Sequence, residues 1–143
     1  MDNVEQEADR QARLDHVTED GIRQLVDTFY AKVRQDAELA PIFARAIPGD
    51  WGPHLDKMYA FWSSVMLTSG RYKGNPVTKH FALPDMHPAL FERWLALFRQ
   101  AADELFDERV SAEFRAKAMR IAESLKLALF YRPDRPWPVE DAR

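Results

Sequence analysis

Apolar residues recur every three or four positions along most of the chain, which is the spacing of a helix with one buried face. Thr18 is suited to cap the first helix, and Asp50 begins the second, with Pro53 in its first turn where a missing N–H does no harm. The apolar face of the first helix comprises Ile22, Leu25, Val26, Phe29, Tyr30 and Val33. The face of the second comprises Trp51, Leu55, Met58, Trp62 and Val65. We expect the second helix to end near Gly70.

Two further helices are predicted downstream, because residues 89–132 contain neither Gly nor Pro. Pro88 begins the third helix, and Asp107, in "FDERVS", caps the fourth. The third apolar face comprises Leu90, Phe91, Trp94, Leu95, Phe98, Ala101, Ala102 and Leu105. The fourth comprises Val110, Phe114, Ile121, Ala122, Leu125 and Leu129. Between the first two helices, Pro41 and Pro48 break "ELAPIFARAIPGD" into a short turn or helix plus a loop.

The predicted fold class is therefore all-α, with four main helices, since no alternating strand pattern and no repeat occurs. We expect a polar N-terminal extension over 1–17, a helical domain over 18–131 and a tail over 132–143. The N-terminus lacks the apolar run of a secretory signal, and no stretch is long enough to span a bilayer. These features predict a cytoplasmic protein without a membrane partner.

Composition narrows the classes of function. Apolar residues form 46% and aromatic residues 12% of the 143 residues, too much for a disordered chain. Lys plus Arg is 20 and Asp plus Glu is 23, so the formal charge of -3 predicts no nucleic-acid partner. The absence of cysteine excludes disulfides and thiolate metal sites. Nine Phe, four Tyr and four Trp either fill a large core or wall a flat ligand.

Several catalytic layouts are missing from the sequence. There is no HExxH zinc-protease helix, no glycine-rich phosphate loop and no GxSxG elbow. No Glu has a His three residues later, which disfavours a carboxylate di-iron bundle. Polar-tipped Tyr30, His54 and Trp94, however, lie on apolar helix faces and need hydrogen-bond partners if buried. Taken singly, each is a satisfied core residue; taken together, they indicate a polar cluster within an apolar pocket.

One histidine stands in an irregular segment, "GRYKGNPVTKHFALP" (70–84). His80 is followed by Phe81, so its imidazole stands next to an apolar residue. In globins a neutral imidazole is the protein ligand of the haem iron, and His80 could serve in this way. The competing interpretation is a core without any ligand. Of the remaining histidines, we interpret His16 as solvated and His87 as a local cap before Pro88.

Four segments, taken in order, resemble the truncated haemoglobins of group III. They are "FYAKVRQDAELAPIF" (29–43), "WGPHLDKMYAFWSSVML" (51–67), "YKGNPVTKHFALP" (72–84) and "FERWLALF" (91–98). The resemblance implies a two-over-two helical sandwich that binds haem b. It makes His80 the proximal iron ligand, with Phe81 beside it. It also makes Tyr30, His54 and Trp94 the distal polar residues.

The same resemblance assigns the apolar walls: Phe43 packs on the haem face, and Met58 and Phe61 line the distal side. Four basic residues either pair with the haem propionates or are solvated: Lys57, Arg71, Lys73 and Lys79. The expected ligands are dioxygen, nitric oxide and carbon monoxide, with a reductase as a further partner. The reaction stays open between storage, nitric oxide oxidation and peroxide chemistry. The alternative from a different class is a haem-free helical interaction module, which would tolerate a change at His80.

Overall fold

The computed structural model describes residues 13–72 and 87–130, with side chains up to residue 127. These residues form five helices and no strand. The helices are α1 (Glu19–Gln35), α2 (Leu39–Ala46), α3 (Gly52–Leu67), α4 (Pro88–Leu105) and α5 (Glu108–Phe130). The all-α class is confirmed, and α1, α3, α4 and α5 are the four main helices predicted. The segment with Pro41 and Pro48 contains a helix, α2, which the sequence left open between turn and helix.

Local side-chain chemistry sets most helix ends where the sequence predicts them. The Oγ1 of Thr18 accepts a hydrogen bond from the Gly21 N–H at 2.9 Å, so Thr18 caps α1. Asp107 does the same for α5, accepting from the Val110 N–H at 2.9 Å. His87 occupies the N-cap position of α4, but its side chain makes no capping hydrogen bond. His87 is therefore the cap residue before Pro88, as predicted, and it acts through its backbone carbonyl, which accepts from the Leu90 N–H at 2.9 Å.

The second predicted helix begins and ends slightly off the predicted residues. Asp50 lies two residues before α3, and its Oδ1 accepts from the Gly52 N–H at 2.9 Å. The helix ends at Leu67 because Thr68 adopts a left-handed conformation with φ of 52°. Gly70, where we expected the end, also has a positive φ of 74°. The chain therefore leaves α3 through two left-handed residues rather than at a single glycine.

The four main helices form two pairs, α1 with α3 and α4 with α5, which contact each other through α1 and α4. Helix α1 packs against α3 and α4, and α5 packs against α4. Helix α2 lies across the end of α1 and also contacts α4. The largest fully buried aromatic residues are Phe91, Phe98, Phe106 and Phe114. No helix among the described residues combines the length and the hydropathy needed to cross a bilayer.

The described residues before α1 are attached to the corner between α4 and α5. The Leu14 N–H donates to the Leu105 carbonyl, and the Asp107 N–H donates to the Leu14 carbonyl, both at 2.9 Å. These bonds form an isolated parallel bridge between Leu14 and Phe106. A Cβ at Gly21 would lie 3.1 Å from the Leu14 side chain and 3.3 Å from the Phe106 ring. A glycine at the start of α1 therefore allows this close approach.

Candidate functional site

A cavity of about 430 Å³, partly open to solvent, lies between the described helices. This volume lies within the range of roughly 300–1,000 Å³ that small-molecule and cofactor sites occupy. Every described residue predicted for the site lines the cavity: Tyr30, Phe43, His54, Met58, Phe61 and Trp94. His80 and Phe81 lie outside the described residues. The structure therefore brings together side chains from four helices that lie far apart in sequence.

Tyr30 and Trp94 reach the cavity from different helices and share one neighbour. The ring of Phe29 contacts Tyr30 with centroids 4.8 Å apart and Trp94 with centroids 5.6 Å apart, both edge to face. Tyr30 is 7% exposed and Trp94 is 8% exposed, so both are buried. Phe29 thus separates two polar-tipped aromatic residues, whose relative position depends on how α1 packs against α4.

The protonation of Tyr30 follows from its burial. Burial disfavours the charged phenolate and raises the pKa of Tyr30 well above its ordinary value of 10.0. The hydroxyl group therefore keeps its proton at neutral pH and can act as a hydrogen-bond donor. The indole of Trp94 can only donate. Both residues are consequently uncharged donors at the wall of an otherwise largely apolar cavity.

His54 lies in the first turn of α3, with aromatic rings on two sides. Its imidazole contacts Tyr30 at 5.0 Å and Trp51 at 5.5 Å between ring centroids, in each case edge to face. Trp51 is held on its other side by Arg34, whose guanidinium carbon lies 4.8 Å from the ring centroid. The imidazole therefore packs against a tryptophan that is itself covered by a cation.

Trp51 contacts residues of the site, although it does not itself line the cavity, and the sequence pattern did not indicate this position. The periodicity placed it on the apolar face of the second helix and gave it no role at the pocket. In the structure it contacts Tyr30 and Phe43 as well as His54, with centroids 5.7 Å and 6.5 Å from the first two rings. The available signal was its position three residues before His54, which puts both on one side of a helix.

Apolar side chains complete the wall. Phe43, from α2, lies 6.1 Å from Tyr30 between ring centroids. Met58 and Phe61 follow His54 along α3, and Phe61 contacts Tyr72 at 5.2 Å. Ile121 and Leu125, predicted as core residues of α5, also face the cavity. Helix α5 therefore belongs to the site, a role that its apolar periodicity alone did not indicate.

Of the four basic residues considered for contacts with the haem propionates, two are described in the structure, and only one of these two lines the cavity. Lys57 lines the cavity together with Asp50. Arg71 instead pairs with Glu19, with the Nη1 and Oε1 atoms 2.6 Å apart. Lys73 and Lys79 lie outside the described residues. Of the described pair, Lys57 is the one at the cavity.

Comparison with known proteins gives the class to which this arrangement belongs. Residues 15–130 match the model of the family described as "Bacterial-like globin". The chain therefore belongs to the bacterial-like globin family. Within that family it is a truncated haemoglobin, so the predicted fold is confirmed.

Particular relatives come from Campylobacter jejuni. The curated "Group 3 truncated hemoglobin ctb" is 32% identical over 121 residues, covering 82% of this chain and 95% of the relative. The crystal structure of the group III truncated haemoglobin from that organism superposes with a TM-score of 0.79 at 33% identity. It covers 83% of this chain and 96% of the solved one. The resemblance to group III predicted from the sequence is therefore confirmed.

Membership of a globin family implies haem binding, and the cavity can be tested for this group. Haem is a flat ring that is apolar over most of its area and carries charge at one edge. Phe43, Phe61 and Met58 offer the apolar surfaces that such a ring requires. The polar groups at the wall are few, as is usual for cofactor sites. The residues present therefore fit the group.

Proposed function

We propose that this chain binds one haem b in the cavity, with His80 as the protein ligand of the iron. Tyr30, His54 and Trp94 then face the opposite side of the ring. The observation that carries the proposal is that these three polar-tipped side chains line one otherwise largely apolar cavity. Membership of the bacterial-like globins supports it independently.

Haem supplies an iron that binds dioxygen, nitric oxide and carbon monoxide reversibly. The protein determines how long a polar ligand stays. With haem bound, the Tyr30 hydroxyl and the Trp94 indole N–H would be able to donate hydrogen bonds to a ligand oxygen that bears negative charge. One such bond is worth roughly 1.5–3 kcal/mol, which slows release about ten- to a hundredfold. His54 either donates as well or swings aside to admit the ligand.

Three donors around one small ligand favour retention or activation over simple transport, since transport requires release. We therefore infer a role in nitric oxide oxidation or peroxide chemistry, for which a reductase would be the partner that supplies electrons. Phe43, Met58 and Phe61 exclude water from the ring, and the Lys57 ammonium group provides a cation for a propionate.

The direct test is the visible absorption spectrum of protein produced with a haem supply. We expect about one haem per chain and loss or severe weakening of haem retention in His80→Ala. His16→Ala and His87→Ala serve as matched controls and should keep the wild-type spectrum. If His80→Ala also keeps it, another residue is the ligand. If the wild-type protein takes up no haem, a haem-free interaction module becomes the better interpretation.

A further inference from the structure

We propose that Asp36 is a positioning residue, which sets the separation of the two distal donors Tyr30 and Trp94. This inference rests on the proposed function, because it concerns how those two residues hold a ligand. Asp36 does not line the cavity. It lies at the end of α1, at a junction between three helices that contribute cavity residues.

The geometry of this junction is specific. The Oδ2 atom of Asp36 accepts hydrogen bonds from the N–H groups of Glu38 and Leu39, at 3.1 Å and 2.9 Å. Its Oδ1 atom accepts from Arg93, whose Nε and Nη2 atoms both lie 2.5 Å away. The side chain of Asp36 is 2% exposed and that of Arg93 is 48% exposed. A nearly inaccessible carboxylate therefore joins the start of α2 and the second turn of α4 to the end of α1.

Each partner of Asp36 belongs to an element that carries a cavity residue. Arg93 is followed directly by Trp94 on α4, and Tyr30 lies upstream of Asp36 on α1. Leu39 begins α2, which carries Phe43 against the Tyr30 ring. A shift of α1 relative to α4 would therefore move the Tyr30 hydroxyl relative to the Trp94 indole. The junction therefore fixes the position of α1 relative to α4 close to Tyr30 and Trp94.

A carboxylate is required for this task rather than a neutral group. Burial by itself raises the pKa of Asp36, but the Leu39 amide, the Arg93 guanidinium and the Glu38 amide together hold that pKa below its ordinary value. Asp36 is therefore charged at neutral pH, and its hydrogen bonds are charge-assisted. An asparagine keeps one acceptor oxygen, but it loses the charge and the second acceptor.

The molecule also offers a matched comparison. Lys32 and Glu104 form a second ion pair between the same two helices, α1 and α4, with the Nζ and Oε2 atoms 2.6 Å apart. Glu104 is 54% exposed, so water screens this pair. Removing it changes the charge between the helices without disturbing a buried junction.

The experiment uses haem-loaded protein and four variants: Asp36→Asn, Arg93→Gln, Arg93→Lys and the control Glu104→Gln. Hydrogen–deuterium exchange at the Leu39 amide reports whether the junction has opened. The infrared stretching band of bound carbon monoxide reports hydrogen bonding around the ligand. Stopped-flow release of dioxygen gives the kinetic consequence. A residue that only stabilised the fold would lower the unfolding temperature and leave the infrared band in place.

We expect faster exchange at Leu39, a shifted or broadened band and about three- to tenfold faster dioxygen release in Asp36→Asn. Arg93→Gln should show the band shift and the faster release, and Arg93→Lys, which keeps the charge, should fall between Arg93→Gln and the wild type. Glu104→Gln should match the wild type. If Asp36→Asn does not fold, Arg93→Gln decides the question, because Arg93 is half exposed.

Two results would overturn the proposal, and they differ from each other. If exchange at Leu39 increases while the carbon monoxide band and dioxygen release stay as in the wild type, the junction is only structural. In that case haem binding itself stands. If the wild-type protein takes up no haem, the proposed function fails and the positioning role fails with it, although exchange at Leu39 still reports the junction.

Discussion

Two regions of this molecule, which we call the closed end and the open end, both contain clusters of buried aromatic side chains but differ in what those side chains do. At the closed end, near the α4–α5 corner, the Phe106 and Phe114 rings stack with centroids 4.8 Å apart, and Leu14 forms a backbone bridge with Phe106. At the open end, Tyr30, His54 and Trp51 meet edge to face around the cavity. Buried aromatic residues therefore do not by themselves distinguish a core from a pocket.

The difference between the ends lies in their polar tips. Phe106 and Phe114 have no polar group, so burying them leaves no hydrogen bond to be satisfied. Tyr30, His54 and Trp94 each carry a group that needs a hydrogen-bond partner when it is buried. A cavity for a polar ligand is one way to supply it. Substitutions at the closed end should thus change stability, and substitutions at the open end should change ligand release.

The largest effect is expected from Phe114→Ala at the closed end. Phe114 is 0% exposed, and truncating a buried phenylalanine costs about 3–5 kcal/mol through lost burial and a new cavity. Denaturant unfolding should show this loss, while dioxygen release from the remaining folded protein stays close to the wild-type rate. If release accelerates as strongly as stability falls, the two ends are not separate in function.

Tyr30→Phe should give the reverse result. The ring stays in place, so the free energy of unfolding should change by no more than about 1 kcal/mol. Dioxygen release should be about ten- to a hundredfold faster, because one donor is lost. Trp94→Phe should act in the same direction, and the double variant should fall short of additivity if both donors serve one oxygen atom. Unchanged stopped-flow rates in both single variants would make these residues packing alone.

Acid should loosen the open end through Asp36. Its pKa is lower in the folded protein than in the unfolded chain, so the carboxylate contributes stability above the unfolded value near 3.8. That contribution is lost as the pH falls through the lower, folded pKa. Between neutral pH and a pH of about 3, the unfolding temperature of the wild type should therefore fall more steeply than that of Asp36→Asn. Parallel curves for the two proteins would contradict this assignment.

The smallest effect concerns Arg34, which covers Trp51 at the outside of the open end. Arg34→Gln removes a cation–π contact worth about 0.5–1 kcal/mol at an exposed site. We expect a decrease in unfolding free energy of that size, and Arg34→Lys should recover part of it. Arg109→Gln, which affects the corner near Leu14, provides a control at the closed end. An unfolding free energy that is the same in Arg34→Gln as in the wild type would contradict a stabilising contact between Arg34 and Trp51.

Much of the fold follows from local patterns in the sequence. The spacing of Ile22, Phe29 and Tyr30 predicts both the helix and its buried face. Thr18 and Asp107 mark helix starts because their side chains accept from nearby amides. The predicted distal set also shares one cavity, but its assignment came from a resemblance to a family, since spacing alone left open whether each residue was a core residue.

What the sequence could not show depends on contacts between distant residues. Asp36 and Arg93 are 57 positions apart, and nothing local to either residue indicates the pairing. Asp27 and Tyr59 are another such pair, 32 positions apart, with the Tyr59 hydroxyl donating to Asp27 at 2.5 Å. The helix α2 was undecided because Pro41 usually breaks helices. In α2 it lies in the first turn, where the backbone N–H has no intrahelical partner to lose.

The backbone bridge at Leu14 limits the insertions and deletions that the chain can accept between this residue and α1. Three residues, 15–17, separate Leu14 from the capping Thr18, and both ends of this connection are held by hydrogen bonds. A connection so short and so tightly held has no slack to absorb an added or deleted residue. Insertions and deletions should therefore be rarer among homologues here than in the segment between α2 and α3, which the cap and the bridge do not hold. An alignment of relatives would test this directly, as a gap pattern rather than a pattern of residue identity.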